Sequence, residues 1–156
     1  MSLSLALVCV CALCSCSSSD DEESRDMSKP VISDQGITAN PVDCQTYKRG
    51  ENIAFNYVFT DDTELGSYNI EIHHNFDHHT HSTSAVECEA DPQKQPVAPW
   101  VFNQDYSVPA GQHTYTARVD IPIPASVDAG DYHFMVRVTD KAGWQELKAV
   151  AIKIVE

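Results

Sequence analysis

The sequence predicts an all-β domain: an antiparallel sandwich of about seven strands, preceded by a short apolar segment and an acidic linker. Three observations carry that prediction. From Ile53 to the C-terminus, apolar and polar residues alternate with the two-residue period of a half-buried strand. The period of an amphipathic helix is nearly absent from the same stretch. Turn-forming clusters separate the alternating runs at Thr60-Asp61-Asp62-Thr63, Pro109-Ala110-Gly111, Asp128-Ala129-Gly130 and Asp140-Lys141-Ala142-Gly143.

Along the chain, residues 31–38 form the first expected strand. In 51–60, Ile53, Phe55, Tyr57 and Phe59 share a face, and in 66–74 Tyr68, Ile70 and Ile72 do so. A short strand is expected near Trp100. The repeating positions are Tyr115, Ala117, Val119 and Ile121 in 112–121, and Tyr132, Phe134, Val136 and Val138 in 130–140. The last strand, 145–155, changes phase around Lys148–Val150, where a bulge is expected. Asp128-Ala129-Gly130-Asp131-Tyr132-His133-Phe134 sharpens the class. The form Asp-x-Gly-x-Tyr-x-apolar resembles the tyrosine corner of immunoglobulin-like domains. Phe134 stands where antibody domains place a cysteine, so their inter-sheet disulfide is absent. The fold class is therefore an antiparallel immunoglobulin-like β-sandwich over residues 30–156.

The N-terminus is a different kind of segment. Leu3 to Leu13 is apolar but too short to span a bilayer, which takes about 20 residues. It closes on Leu13-Cys14-Ser15-Cys16 and turns abruptly acidic from Ser17 to Glu23. That order resembles a bacterial lipoprotein signal. The resemblance implies a signal peptide over 1–15, cleavage before Cys16 and acylation of that cysteine. Met1 to Leu5 departs from the pattern in carrying no Lys or Arg. The acidic run resembles the export signal of surface-exposed lipoproteins in Bacteroidetes-type bacteria, and a solvated tether is its plainer reading. Residues 16–29 have almost nothing to bury and read as the acylated cysteine plus a flexible acidic tether. The expected location is the bacterial outer membrane, at the cell surface.

A net charge of −13 argues against nucleic acid as a partner, because phosphates would be repelled. It also leaves membrane attachment to the lipid. Once the signal is removed, Cys44 and Cys88 are the only cysteines left in the domain. In an oxidising compartment an even pair suggests a disulfide, worth roughly 3–4 kcal/mol for a loop of this length. Two free buried thiols are the alternative. Immunoglobulin topology places both residues in connections at one pole, opposite the entry of the tether.

Five of the seven histidines fall within the nine residues from His73 to His81. His73 ends strand 66–74 on its non-core face, and His133 begins strand 130–140 on its non-core face. These strands are antiparallel neighbours in the expected topology, so the two rings should be close. The connection carrying Asp77, His78, His79 and His81 leaves from the same corner. Imidazoles with a carboxylate suit Zn²⁺ or another divalent transition metal in a tetrahedral shell. His78 and His81, three residues apart, could chelate if the loop folds back over the sheet. A solvated polar loop, or weak surface chelation, needs no such site. His74 faces the core edge and reads as a structural histidine.

Nothing in the sequence demands catalysis. There is no Gly-x-Ser-x-Gly elbow, no phosphate-binding loop and no His-Glu-x-x-His. A metal-activated water with Glu71 or Asp77 as base is the one enzymatic route open, and the expectation is a binding module rather than an enzyme. Asp61-Asp62 reads as a turn pair. Trp100 and Trp144 are expected to cap the core edge; an exposed aromatic would instead favour a glycan or protein ligand, the alternative to metal.

Five segments together resemble a family. They are Lys29-Pro30-Val31-Ile32, Ile70-Glu71-Ile72-His73-His74, Trp100-Val101-Phe102, Ala129-Gly130-Asp131-Tyr132-His133-Phe134 and Val138-Thr139-Asp140-Lys141-Ala142-Gly143. The chain looks like domain of unknown function 4625, small lipoproteins of gut and related Bacteroidetes-type bacteria, over about residues 29–156. The histidine segment is the distinctive part. The resemblance implies a lipidated immunoglobulin-like fold and no established activity, and only the acylated Cys16 is carried over from it.

Overall fold

The computed structural model describes residues 25–81, 83 and 86–156. The signal segment and Cys16 lie outside these residues. Eight strands follow in order: β1 Val31–Ser33, β2 Gln45–Lys48, β3 Asn52–Thr60, β4 Leu65–His74, β5 Phe102–Ser107, β6 Thr114–Pro122, β7 Gly130–Asp140 and β8 Gln145–Val155. No helix occurs among the described residues. The strands form a three-stranded sheet, β1-β3-β6, and a five-stranded sheet, β2-β8-β7-β4-β5. This is an immunoglobulin-like sandwich.

The core lies where the alternation puts it. Ile53, Phe55, Tyr57 and Phe59 from β3 and Ile121 from β6 meet Ile70 and Ile72 from β4, with Phe134, Val136 and Val138 from β7 and Ile152 and Ile154 from β8. Each such side chain gains about 1.5–3 kcal/mol on burial. Phe134, in the place of the missing cysteine, stacks on Phe55 of the opposite sheet, with centroids 5.7 Å apart and planes 19° from parallel. An aromatic pair thus joins the sheets where antibody domains use sulfur. Trp100 is buried, as expected of a core cap, while Trp144 is partly exposed.

The tyrosine corner is present. Tyr132 Oη donates to the Asp128 carbonyl at 2.7 Å and accepts from the Trp100 amide at 3.3 Å. Gly130 precedes it at φ +137°, and a Cβ there would meet Phe76 Cε1 at 2.8 Å.

Three details differ from expectation. The strand expected over 31–38 ends at Ser33, because Asp34 accepts from the Ile37 amide in a turn holding Gly36 at φ +77°. The chain then changes sheets, and β2 pairs parallel to β8. Asn40 knots the crossing, giving Nδ2 to the Ala54 carbonyl while Oδ1 accepts from Gln45 and Tyr47. There is no bulge near Lys148–Val150, since β7 and β8 stay in register from Gly130↔Ile154 to Thr139↔Gln145. The phase change has another cause: Ala149 and its partner Met135 are buried on the outer face of the sheet. The irregularity lies instead between Leu65 and Ser67. There a Cβ on Gly66 would come within 2.9 Å of the Thr139 and Asp140 carbonyls.

Cys44 and Cys88 form a disulfide with a Cα–Cα distance of 5.3 Å. It ties the long connection between β4 and β5 to the segment entering β2, whose Cys44 amide donates to Ala151 of β8. At the opposite pole, residues expected to belong to the tether are already docked: Trp144 Nε1 donates to the Asp26 carbonyl, Ser28 to Asp62, and Lys29 pairs with Glu146.

Candidate metal centre

Strand parity builds the centre. Tyr132 and Phe134 face the core, so His133 between them faces outward. Ile72 does the same for His73, and the two histidines are direct cross-strand partners in the β4–β7 ladder. The connection leaving His74 reverses at His78, a non-glycine residue at φ +61°. It then lays His79 and His81 over the outer face beside that pair.

The four rings stand nearly equidistant. The six centroid separations among His73, His79, His81 and His133 run from 5.0 to 5.5 Å. Four points so spaced form a tetrahedron with its centre about 3.2 Å from each vertex, and a Zn–N bond of about 2.0–2.1 Å plus roughly 1.2 Å from nitrogen to ring centre has the same length. Ligand nitrogens of three of them, His73, His79 and His81, lie within 4.8 Å of one another.

Hydrogen bonds assign the tautomers. His79 Nδ1 is bonded to Asp77 Oδ1 at 2.5 Å; with the carboxylate accepting, Nε2 keeps a free lone pair. This is the carboxylate–histidine pairing that orients metal ligands. The hydrogen bond from His79 also holds the Asp77 carboxyl below its ordinary pKa. Glu71 Oε1 lies 3.0 Å from His73 Nδ1, at ion-pair distance though out of line for a hydrogen bond. His133 donates Nε2–H to the His79 carbonyl at 3.0 Å, which leaves Nδ1 buried and without a hydrogen-bond partner. Burial pushes the pKa values of His73 and His133 below 6.5; Glu71 opposes the shift at His73 and the hydrogen bond to the His79 carbonyl opposes it at His133, while the neighbouring imidazoles add to it. Both rings are therefore neutral at pH 7, the state that ligates.

Two of the residues singled out from the sequence stand apart. Asp77 orients His79 rather than joining the ring group. His78 turns away and gives Nε2–H to the Asp91 carbonyl at 2.8 Å. The loop histidines beside His73 are thus His79 and His81, not His78 and His81. His74 rests on Phe76, with centroids 4.8 Å apart.

Next to the rings opens a cavity of about 430 Å³, walled by His79, His133, the Cys44–Cys88 disulfide, Asp131 and Lys153. Lys153 Nζ lies 2.7 Å from Asp91 and 3.4 Å from Asp131. No local sequence signal marks this ion pair, because only the folding-back of the long connection brings Asp91 to β8.

A family model described as Domain of unknown function (DUF4625) matches residues 14–155. No curated protein matches the chain.

Proposed function

The chain belongs to the DUF4625 family, which carries no assigned activity, and we propose that it is a lipid-anchored binding module for a divalent transition metal. His73, His79 and His81 are the proposed ligands, with Zn²⁺ the favoured ion. His133 Nδ1 serves as a fourth ligand once its ring turns, or the fourth position faces the adjoining cavity and takes solvent or a ligand group. The observation that carries this reading is the near-equal spacing of four imidazoles, two set by a strand pair and two by a loop. Glu71 and Asp77 each lie against a ring nitrogen, which makes them orienting groups rather than bases, so the reading is binding and not catalysis.

The anchor is Cys16, acylated, with the protein on the outer membrane at the cell surface. The lipoprotein-like signal supports this. The rings and Asp140 sit toward opposite ends of β7, and seven residues of strand from His133 to Asp140 span about 23 Å. The metal pole then faces away from the lipid, because the chain enters beside Trp144.

Calorimetric titration of the untagged chain with Zn²⁺ near neutral pH tests the reading. It predicts a Kd tighter than about 1 µM that weakens at least about tenfold when His73 and His133 are changed together to Ala. Affinity should also fall below about pH 6, where protons compete for imidazole. Undiminished binding in the double variant would reduce the site to a loose loop chelator, and no binding would return the cavity to a glycan or protein ligand.

A further inference from the structure

At the other pole lie three carboxylates that the histidine centre does not use. Asp26 comes from the segment leading into the domain, Asp61 from the β3–β4 turn and Asp140 from the end of β7. One oxygen from each lies within 4.8 Å of the others. Asp61 is 9% exposed and Asp140 4%.

In all three the two oxygens are divided between different tasks. Asp61 Oδ1 accepts from the amides of Thr63 and Glu64, Asp140 Oδ1 from those of Gly143 and Trp144, and Asp26 Oδ1 from that of Ser28. These bonds fix the carboxylates and leave the Oδ2 atoms of all three buried with no hydrogen-bond partner. None of the ion pairs among the described residues includes any of the three. Buried carboxylates are ordinarily paired with a cation or bound to a metal. Here three carboxylates converge, none paired with a basic side chain and none with a donor on Oδ2.

We propose that Asp26, Asp61 and Asp140 form a Ca²⁺ site that clamps the N-terminal segment onto the domain. The donor set is all oxygen and all carboxylate, which suits a hard cation and not the transition metals served by imidazole. Calcium–oxygen bonds of about 2.3–2.6 Å put two ligands of one ion at most roughly 4.6–5.2 Å apart, so the observed spacing fits inside one coordination shell. Flexible Ca²⁺ geometry also accepts ligands from three separate segments, with water completing the shell, where Mg²⁺ demands a near-ideal octahedron. Asp26 is the ligand that gives the site a consequence. Its segment is already tied down by the Trp144 indole on the Asp26 carbonyl and by Ser28 on Asp62. An ion shared with Asp61 and Asp140 fastens the chain between anchor and sandwich to two turns at once, which sets the orientation of the domain on its tether.

The test uses the full chain and two probes. Ca²⁺ is followed by calorimetry and thermal unfolding, and Tb³⁺ by emission sensitised through Trp144, whose indole touches Asp26. Calcium at about 5 mM, well above the weaker extracellular-type sites, should raise the unfolding temperature, and Tb³⁺ should luminesce on excitation of tryptophan and be displaced by Ca²⁺. Asp140→Asn should abolish both effects. Should that variant fail to fold, Asp26→Asn decides, because Asp26 lies outside the core and its loss cannot unfold the sandwich. It should weaken Ca²⁺ binding at least about tenfold and leave Zn²⁺ binding at the histidines unchanged. No Ca²⁺-dependent shift and no sensitised emission in the unaltered chain would overturn the proposal. Ca²⁺ binding equally strong in Asp26→Asn would overturn it too, as would a site preferring Mg²⁺.

Discussion

The Tyr132 hydroxyl bonds two backbone groups at once, the Asp128 carbonyl and the Trp100 amide. Burial pushes its phenol pKa up, so it remains a donor throughout the ordinary pH range. Tyr132→Phe keeps the ring packed and strands both partners. We expect it to cost about 1–3 kcal/mol, the range for leaving buried polar groups unpaired. Urea unfolding should show a lower midpoint at unchanged slope, and an unchanged midpoint would mean that water satisfies the corner in the variant. Residues such as this were legible because their signal is local: Asp-x-Gly-x-Tyr compresses the whole corner into five positions. His73 and His133 were legible for a related reason, since strand parity decides which way each points. His78 and His79 were not. Loops carry no period, and the left-handed backbone at His78 exchanges the directions of neighbouring side chains in a way no composition reveals.

At the scale of elements, the histidine centre joins a rigid part to an adjustable one. β4 and β7 hold their rings through a continuous ladder, whereas His79 and His81 depend on the connection between β4 and β5 staying against the sheet. Three attachments keep it there: Thr83 on Ala149 of β8, Asp91 on Asp131 of β7 and Lys153 of β8, and the disulfide. The disulfide closes a 44-residue separation, for which the chain-entropy model gives about 4 kcal/mol. Changing Cys44 and Cys88 together to Ser should therefore lower stability by about 3–4 kcal/mol, measured by urea unfolding. It should also weaken Zn²⁺ binding, since two of the proposed ligands lose an anchor while the other two do not. Stability loss with unaltered zinc affinity would show that the loop is held by its hydrogen bonds alone. The five longest strands could be read from alternation, but β2 could not. Its four residues bury only Tyr47 and pair with the far end of the chain, so neither length nor pattern announces it. The expected bulge failed because burial on the outer sheet face, under the long connection, imitates a phase slip.

For the whole molecule, the buried imidazoles set how stability responds to pH. His73 and His133 have folded pKa values below 6.5, chiefly through burial, which Glu71 resists at His73 and the His79 carbonyl resists at His133, while the neighbouring imidazoles add to the depression. An unfolded chain therefore binds more protons than the folded one below that point. Their contribution is fully present above pH 6.5 and is lost as pH falls from 6.5 through the folded values. Carboxylates act in a separate window. Asp77, lowered chiefly by the His79 hydrogen bond, and Asp128, lowered by the Val97 and Ala98 amides, contribute stability that is present above about pH 3.8 and lost only on further acidification. Since these windows do not overlap, a fall in unfolding temperature between pH 7.5 and about 5.5 reports the histidines. The net charge of −13 works in the other direction, because protonating any histidine relieves repulsion across the surface. Comparison with the His73→Gln, His133→Gln double variant separates the two effects: it retains the surface charge but has nothing buried left to protonate at the centre. The metal-free protein should lose stability over this interval and the double variant should lose less. Adding Zn²⁺ should move the fall in the unaltered protein to lower pH, since bound metal holds the rings neutral. Parallel curves for the two proteins would mean that these imidazoles accept protons without cost, and the loop above them must then open readily to water.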